Sequence, residues 1–96
     1  MQKAVAIVAF IEAREEYRNE VEMALRRAVA ATLSEAGCEQ YALHLDPQEP
    51  NRFVMIERWH DRASVDAHAS GPAFTELAAM LHGRSTLQVN FYEPIP

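Results

Sequence analysis

The sequence predicts an α+β fold of the ferredoxin-like, split βαβ type, in which a four-stranded antiparallel sheet carries its helices on one face. Two observations predict it. Four short segments have the alternating or continuous hydrophobic pattern of strands, and the segments between them place apolar residues at helical spacing. The order is β-α-β-β-α-β, with the last helix divided at Gly71-Pro72. Because domains rarely run below about 50 residues, the 96-residue chain is expected to form one domain, residues 1–96.

The first strand is predicted over residues 3–11 and is apolar on both faces, which is typical of a strand covered on both sides. From Arg14 the spacing predicts a single helix of about 22 residues with one apolar face. Gly37 is suited to the left-handed conformation that ends such a helix. The residues expected to face inward from this helix are Tyr17, Val21, Leu25, Ala28, Thr32 and Leu33.

An antiparallel hairpin follows, with strands predicted over residues 39–46 and 52–60 and a connection rich in turn-forming residues. One face of the first strand carries Tyr41, Leu43 and Leu45. One face of the second carries Phe53, Met55, Glu57 and Trp59.

Two short helices and a strand complete the chain. Asp61 is placed to cap a helix over Arg62–Ser70, and Pro72 suits the first position of a helix over Pro72–Leu81. The last strand is predicted over Ser85–Tyr92. The side chains expected to face inward from the two helices are Val65, His68, Ala69, Phe74, Leu77, Ala78 and Leu81.

The helices of this fold cover one face of the sheet, yet the first strand is apolar on both faces. A small domain also has little interior in which to hide a 49% share of hydrophobic residues. A second copy of the same sheet is the simplest cover for the remaining face. The sequence therefore predicts a homodimer whose sheets pack face to face and approach a barrel.

Charge and cysteine content restrict the partners and the compartment. The net charge of -5 argues against nucleic acid or an anionic membrane as a partner. No apolar run approaches the length of about 20 residues that spans a bilayer, and no secretory signal is expected. The single cysteine, Cys38, indicates a reducing, cytoplasmic compartment. The four histidines form no metal-binding spacing, so no metal site is predicted.

Two titratable residues stand on faces expected to be apolar. Glu57 interrupts a row of large hydrophobic groups, where burial would raise its pKa and make it a base or hydrogen-bond donor near neutral pH. The alternative is that Glu57 pairs with an arginine in a structural role. His68 follows Trp59 by nine residues, so that both could border one cavity where the imidazole removes a proton. The alternatives are a histidine satisfied by a backbone carbonyl and a tryptophan that only packs in the core.

Other polar residues have less distinctive positions. Tyr41 and Tyr92 are phenols in strands that could line a site or lie at the rim of the dimer. Cys38 follows a helix C-terminus, where the helix dipole raises a thiol pKa and disfavours a nucleophilic role. His44, His60 and His82 are expected at the surface or an interface.

The middle of the chain resembles the antibiotic biosynthesis monooxygenase family. Residues 35–44, EAGCEQYALH, are similar to the family's E-x-G-C-x-x-Y-x-L stretch. Residues 53–59, FVMIERW, followed by Ala67-His68 and Pro72-Ala73-Phe74, resemble its F-V-x-x-E-x-W and A-H-x-x-x-P-H-F elements. The resemblance implies the dimeric α/β barrel and oxygenation of phenols, anthrones or quinols without flavin, haem or metal.

The resemblance also implies roles for individual residues. Trp59, Glu57 and His68 match the family's strand-end tryptophan, its glutamate and the histidine of its A-H element. We expect His68 or Glu57 to remove a phenolic proton, so that the anion reacts directly with O2 and no cofactor is needed. The substrate pocket is expected to be lined by Tyr41, Leu43, Met55, Val65, Phe74 and Leu77.

Ala73 replaces the histidine of the family's P-H-F element, so any help from that second histidine is absent. The resemblance also implies that haem degradation is disfavoured. Haem-degrading members of the family need an asparagine on the first strand and a histidine on the last helix, and here the first strand has no asparagine and the helix Pro72–Leu81 no histidine. Two further functions stay open beside a small-quinol monooxygenase. They are a cofactor-free isomerase or tautomerase in the same pocket, and a non-catalytic stress-response module that binds a small hydrophobic ligand.

Overall fold

The computed structural model describes residues 3–96, which form a four-stranded antiparallel sheet with three α-helices. Strand β1 spans Val5–Ala13 and a 3-10 turn, Glu15–Tyr17, leads into helix α1, Arg18–Thr32. The hairpin strands are β2, Cys38–Leu45, and β3, Arg52–Trp59. Helices α2, Arg62–Ser70, and α3, Pro72–Leu81, precede strand β4, Ser85–Tyr92. The predicted α+β, ferredoxin-like class is confirmed.

The sheet has the strand order β2-β3-β1-β4, so β3 and β1 are the inner strands. Ile7 of β1 lies opposite Glu57 of β3, and Glu57 lies opposite Tyr41 of β2. Phe91 of β4 lies opposite Ile7 on the other side. This register places Tyr41, Glu57, Ile7 and Phe91 in one row across the sheet.

The two faces of the sheet differ in burial. On the helix-covered face the core contains Ile11, Phe53 and Trp59, each at most 2% exposed. On the opposite face Ala6 and Val8 are partly exposed and Phe10 is 39% exposed. The apolar opposite face expected from the sequence is therefore present, and residues 3–96 contain no element that covers it.

The ends of two helices match the sequence predictions. The Asp61 carboxylate accepts a 2.8 Å hydrogen bond from the backbone N–H of Ser64 at the start of α2. Pro72 opens α3, where its missing N–H costs no helical hydrogen bond.

Helix α1 has 15 residues and is therefore shorter than the predicted helix of about 22. Arg14 is extended, and Tyr17, with φ -111° and ψ 8°, interrupts the regular helix after the 3-10 turn. The helix ends at Thr32, and Gly37, with φ +82°, ends the following turn instead. Leu33 was expected to face inward but is 54% exposed, since it lies just past the end of the helix.

The other differences are small. Strand β1 begins and ends two residues later than predicted, β2 is shifted by one residue towards Cys38, and β3 stops before His60. Ala78 of α3 is exposed although it was expected to face inward. A hydrophobic pattern fixes which face is buried better than it fixes the residue at which hydrogen bonding ends.

Candidate functional site

A small cavity lies between the helices and the covered face of the sheet, with a volume of about 70 Å³. We call it the inner pocket. Its lining is apolar except for three side chains, Tyr41, Glu57 and His68. A few polar groups converging in an apolar cavity are the usual composition of a small-molecule site. The apolar lining residues are Ile7, Ala9, Ile11, Leu25, Met55, Val65, Ala69, Phe74, Leu77, Leu87, Val89 and Phe91.

The pocket opens at strand β4, which lies at the edge of the sheet. Leu87, Val89 and Phe91 line it and are each between 37% and 46% exposed. A cavity of about 150 Å³ can hold benzene, so the inner pocket as described holds an aromatic ring only in part. A ring-sized ligand would need the side chains of β4 to move outward.

Glu57 is placed in the pocket by strand β3, because residues two apart on a strand share a face. Its carboxylate Oε1 accepts a 2.9 Å hydrogen bond from the indole Nε1–H of Trp59. Burial raises the pKa of the Glu57 carboxyl, while the Trp59 hydrogen bond and the charge of His68 act to lower it. The hydrogen-bond partner of Glu57 is thus a tryptophan, and not an arginine as in the alternative considered from the sequence.

His68 is 6% exposed and faces the pocket from helix α2. Its Nδ1 lies 2.8 Å from Oε1 of Glu35. Its ring is packed among three aromatic rings, with centroid distances of 4.7 Å to Trp59 and 5.5 Å to both Tyr41 and Phe74. His68 is therefore held on one side by a carboxylate, in place of the backbone carbonyl considered from the sequence.

Tyr41 lies beside Glu57 across the β2–β3 pairing and is 4% exposed. Burial raises the pKa of the Tyr41 phenol, and the charges of Glu57 and Glu35 raise it further. The Thr32 side chain acts to lower this pKa, but the phenol stays neutral.

Two residues predicted for the site do not line the inner pocket. Trp59 is fully buried behind His68, so the space expected between these residues is filled by their own rings. Leu43 lies in a separate groove between α1 and β2, near Phe53. Leu43 lies opposite Met55, two residues further along β2 than Tyr41. The predicted residues that do line the pocket are Tyr41, Met55, Glu57, Val65, His68, Phe74 and Leu77.

The sequence analysis missed Glu35 and the residues of β4. Glu35 begins the E-x-G-C stretch, but the interval of 33 residues to His68 has no periodic signal that would connect the two. Leu87, Val89 and Phe91 share one face of β4, and only the strand order places that face beside the helices.

Other candidate groups lie outside the pocket. Burial and the neighbouring carboxylates of Glu35 and Glu57 raise the pKa of Cys38, the direction expected for a poor nucleophile. His44, His60 and His82 are exposed. Within residues 3–96 no three His, Cys, Asp or Glu side chains are grouped so as to hold a metal ion. None of the helices described is both long and apolar enough to cross a membrane.

The sequence model of the antibiotic biosynthesis monooxygenase family matches residues 4–80. A Bacillus subtilis protein named "Putative monooxygenase YcnE" is 33% identical over 75 residues, which are 78% of this chain and 79% of that protein. An uncharacterized protein of Synechocystis, sll1783, is 41% identical over 44 residues. That match covers 46% of this chain, and the chain spans only 30% of the Synechocystis protein.

Solved structures give the same comparison in three dimensions. A crystal structure titled antibiotic biosynthesis monooxygenase superposes with a TM-score of 0.89 at 29% sequence identity. The superposition covers 96% of this chain and 99% of that one.

Proposed function

The chain belongs to the antibiotic biosynthesis monooxygenase family, and we propose that it oxidises a small quinol or other phenolic aromatic compound with O2, without a bound cofactor. Family membership supports the monooxygenase type of reaction. The observation that carries the choice of substrate is the convergence of Tyr41, Glu57 and His68 in an otherwise apolar pocket. An apolar wall suits an aromatic ring, and the three polar groups suit its hydroxyl.

The small volume of the inner pocket favours a single substituted ring over a fused polycyclic compound. Such a ring would enter at β4, displace Phe91 and pack against Phe74 and Leu77. The Tyr41 hydroxyl is the donor available to a substrate oxygen, since its raised pKa keeps it protonated. Enclosure of the ring excludes bulk water from the reacting oxygen.

The reaction begins with transfer of the phenolic proton to Nε2 of His68, because Nδ1 is occupied by Glu35. The phenolate then gives one electron to O2, which produces a phenoxyl radical and superoxide. These combine at a ring carbon that bears hydrogen, forming a C–O bond and a peroxide anion. His68 returns its proton to the terminal peroxide oxygen.

Loss of water completes the reaction. Glu57, whose raised pKa favours proton uptake, takes the proton from the oxygenated ring carbon as the O–O bond breaks. The C–H electron pair forms the new carbonyl, and the departing hydroxide takes the Glu57 proton. One oxygen atom of O2 enters the product quinone and the other leaves as water, so all atoms and electrons balance.

The proposal includes a homodimer formed through the uncovered face of the sheet. Val8, Phe10 and Ile56 are apolar and partly exposed on that face. We place the protein in the cytoplasm, where Cys38 stays reduced. Size-exclusion chromatography with light scattering tests the dimer, because Val8→Asp is expected to convert it to monomer. A wild-type monomer would contradict this part of the proposal.

A second candidate is a non-catalytic module that binds a small hydrophobic ligand. Two observations favour it: the Trp59 and His68 rings fill the space between them, and the remaining pocket is small. In this case the pocket binds ligand but supports no turnover.

Oxygen uptake measured with a panel of hydroquinones and naphthols tests the proposal. Wild type, His68→Ala and the control His82→Ala are compared, since His82 is an exposed histidine of the same chain. We expect a loss of about 100-fold or more in kcat for His68→Ala, as for removal of a general base, and wild-type rates for His82→Ala.

Equal rates in wild type and His68→Ala would remove His68 from the mechanism. Binding without O2 uptake over the whole panel would favour the non-catalytic module. Turnover that continues without oxygen would favour an isomerase or tautomerase.

A further inference from the structure

A second cavity lies on the outer side of His68. This groove has a volume of about 440 Å³ and is lined in part by Glu35, Ser64, Ala73 and Glu76. We call it the outer groove. His68 lines both the outer groove and the inner pocket, and no other residue among 3–96 does so. The imidazole therefore lies between the inner pocket and a groove on the surface.

Glu35 holds the outer edge of this imidazole. Its side chain is 24% exposed, against 6% for His68, and its Oε1 lies 2.8 Å from Nδ1. An ionised carboxylate can only accept a hydrogen bond, so Nδ1 must carry the proton. The lone pair of the neutral ring then lies on Nε2, the nitrogen that Glu35 does not hold.

We infer that Glu35 is the positioning residue of the site: it fixes the tautomer and orientation of His68 and stabilises the imidazolium formed when Nε2 takes a proton. The inference rests on the proposed function for its effect on rate. The tautomer itself is a property of the free protein. Carboxylate–histidine pairs in other enzymes act by the same physical logic, without transfer of the proton to the carboxylate.

The turn that carries Glu35 is fitted to helix α2. Gly37 has φ +82°, and a Cβ there would overlap Ser64 Oγ and lie 2.5 Å from Ser64 Cβ. The Gly37 carbonyl also accepts a 2.8 Å hydrogen bond from the N–H of His60. Ser64 and His68 lie one turn apart on the same face of α2. Close approach of Gly37 to Ser64 thus brings Glu35 within reach of His68.

The two carboxylates near His68 consequently have different tasks. Glu57 is buried in the inner pocket with a raised pKa, which suits proton transfer. Glu35 opens to the outer groove and accepts a hydrogen bond from the ring. Two carboxyl groups placed in different environments around one reacting centre commonly divide the work in this way.

Nuclear magnetic resonance of 15N-labelled histidine tests the tautomer without any substrate. We expect wild-type His68 to carry its proton on Nδ1. In Glu35→Ala the ring loses its acceptor, and a large fraction is expected to carry the proton on Nε2. Glu35→Gln retains an oxygen acceptor and should recover most of the Nδ1–H form. Glu76→Gln is the matched control, since Glu76 lines the same groove and should leave the spectrum unchanged.

Rates with the best substrate of the phenol panel provide the second measurement. Glu35→Ala is expected to lower kcat by about tenfold or more, with KM nearly unchanged, and Glu35→Gln to fall between wild type and Glu35→Ala. Glu76→Gln should match wild type. An unchanged His68 tautomer in Glu35→Ala would overturn the inference, as would an unchanged kcat in an enzyme whose turnover requires His68.

The two proposals fail in different ways. If Glu35→Ala shifts the tautomer but no phenol supports O2 uptake in any variant, the positioning role stands and the proposed function fails. If turnover of wild type requires His68 but the His68 tautomer is unchanged in Glu35→Ala, the proposed function stands and the positioning role fails.

Discussion

Glu57 and Glu35 both approach His68, but the protein surrounds the two carboxyl groups differently. Glu57 is 7% exposed in the inner pocket and is bonded to a neutral indole N–H. Glu35 lies in the outer groove and is bonded to the imidazole itself. Burial raises the pKa of Glu57. The comparison teaches that the partner and the burial of a carboxyl group, and not its residue type, give the two glutamates beside His68 different tasks.

Gly37→Ala changes the turn that carries Glu35, and we expect it to have the largest effect on stability. The left-handed backbone costs an alanine about 1–2 kcal/mol, and the overlap with Ser64 adds about 1–3 kcal/mol. We therefore expect a clear loss in the free energy of unfolding, measured by urea denaturation.

Gly83→Ala is the matched control for Gly37→Ala. Gly83 also has a positive φ, +76°, but a Cβ there meets no atom within 4 Å. Only the backbone cost should appear. Ser64→Gly in the Gly37→Ala background removes the overlap but also the hydrogen bond from Ser64 Oγ to Asp61. Ser64→Gly alone is therefore measured too, and its cost should be smaller in the Gly37→Ala background than in wild type. A loss as large at Gly83 as at Gly37 would show that the contact with Ser64 is unimportant.

Trp59→Phe removes the hydrogen bond that Trp59 donates to Glu57 in the inner pocket. Phenylalanine can still stack on His68, but it leaves the buried Glu57 carboxylate without its donor, which costs about 1–3 kcal/mol. The hydrogen bond favours the ionised form, so its removal raises the pKa of Glu57 further. The loss of stability should be larger at pH 8 than at pH 4.5, whereas a pure packing defect would cost the same at both values.

Glu57→Gln tests how much the titration of the Glu57 carboxyl contributes to the pH dependence of stability. Because burial raises its pKa above the ordinary value of 4.5, the folded protein binds more protons than the unfolded chain above that pH. Glu57 therefore lowers the stability of wild type as pH rises through this window, by about 1.4 kcal/mol for each unit of the rise in pKa. Glu57→Gln should gain stability relative to wild type between pH 4.5 and neutrality.

Glu15→Gln serves as the control for this titration, since Glu15 is exposed. Both variants are compared with wild type by urea denaturation over the same pH range. A stability difference between Glu57→Gln and wild type that does not change with pH would mean that Glu57 titrates alike in the folded and unfolded chains.

Ala73→His should have the smallest effect and tests whether the missing family histidine matters. Ala73 lines the outer groove and not the inner pocket. A histidine there would lie in the same groove as Glu35, so we expect the free energy of unfolding to change by at most about 0.5 kcal/mol. O2 uptake should stay near the wild-type rate. A large gain in rate would show that the outer groove takes part in catalysis.

Much of the site could be predicted from hydrophobic pattern. Met55, Glu57 and Trp59 alternate on β3, so their common face follows from the strand period alone. Val65 and His68 share the buried face of α2 for the corresponding helical reason. The family resemblance singled out Trp59 and His68, although the geometry gives Trp59 a supporting position behind the imidazole.

The remaining contacts join residues far apart in the chain, and no local pattern encodes them. Glu35 and His68 meet because Gly37 packs on Ser64, a fit that depends on the absence of one Cβ. Leu43 shares the strand face of Tyr41, yet it lies two residues further along β2 and lines a groove beside α1 instead of the pocket.

The sequence by itself determined the fold class, the element order, the buried face of each strand and the presence of an acid and a histidine on covered faces. These features follow from periodicities of two and 3.6 residues, which are local properties of the chain. Only the tertiary structure decided which carboxylate orients His68, which donor holds Glu57 and how small the inner pocket is. Those features depend on packing distances between elements, where a shift of one residue in register or one added methyl group changes the contact.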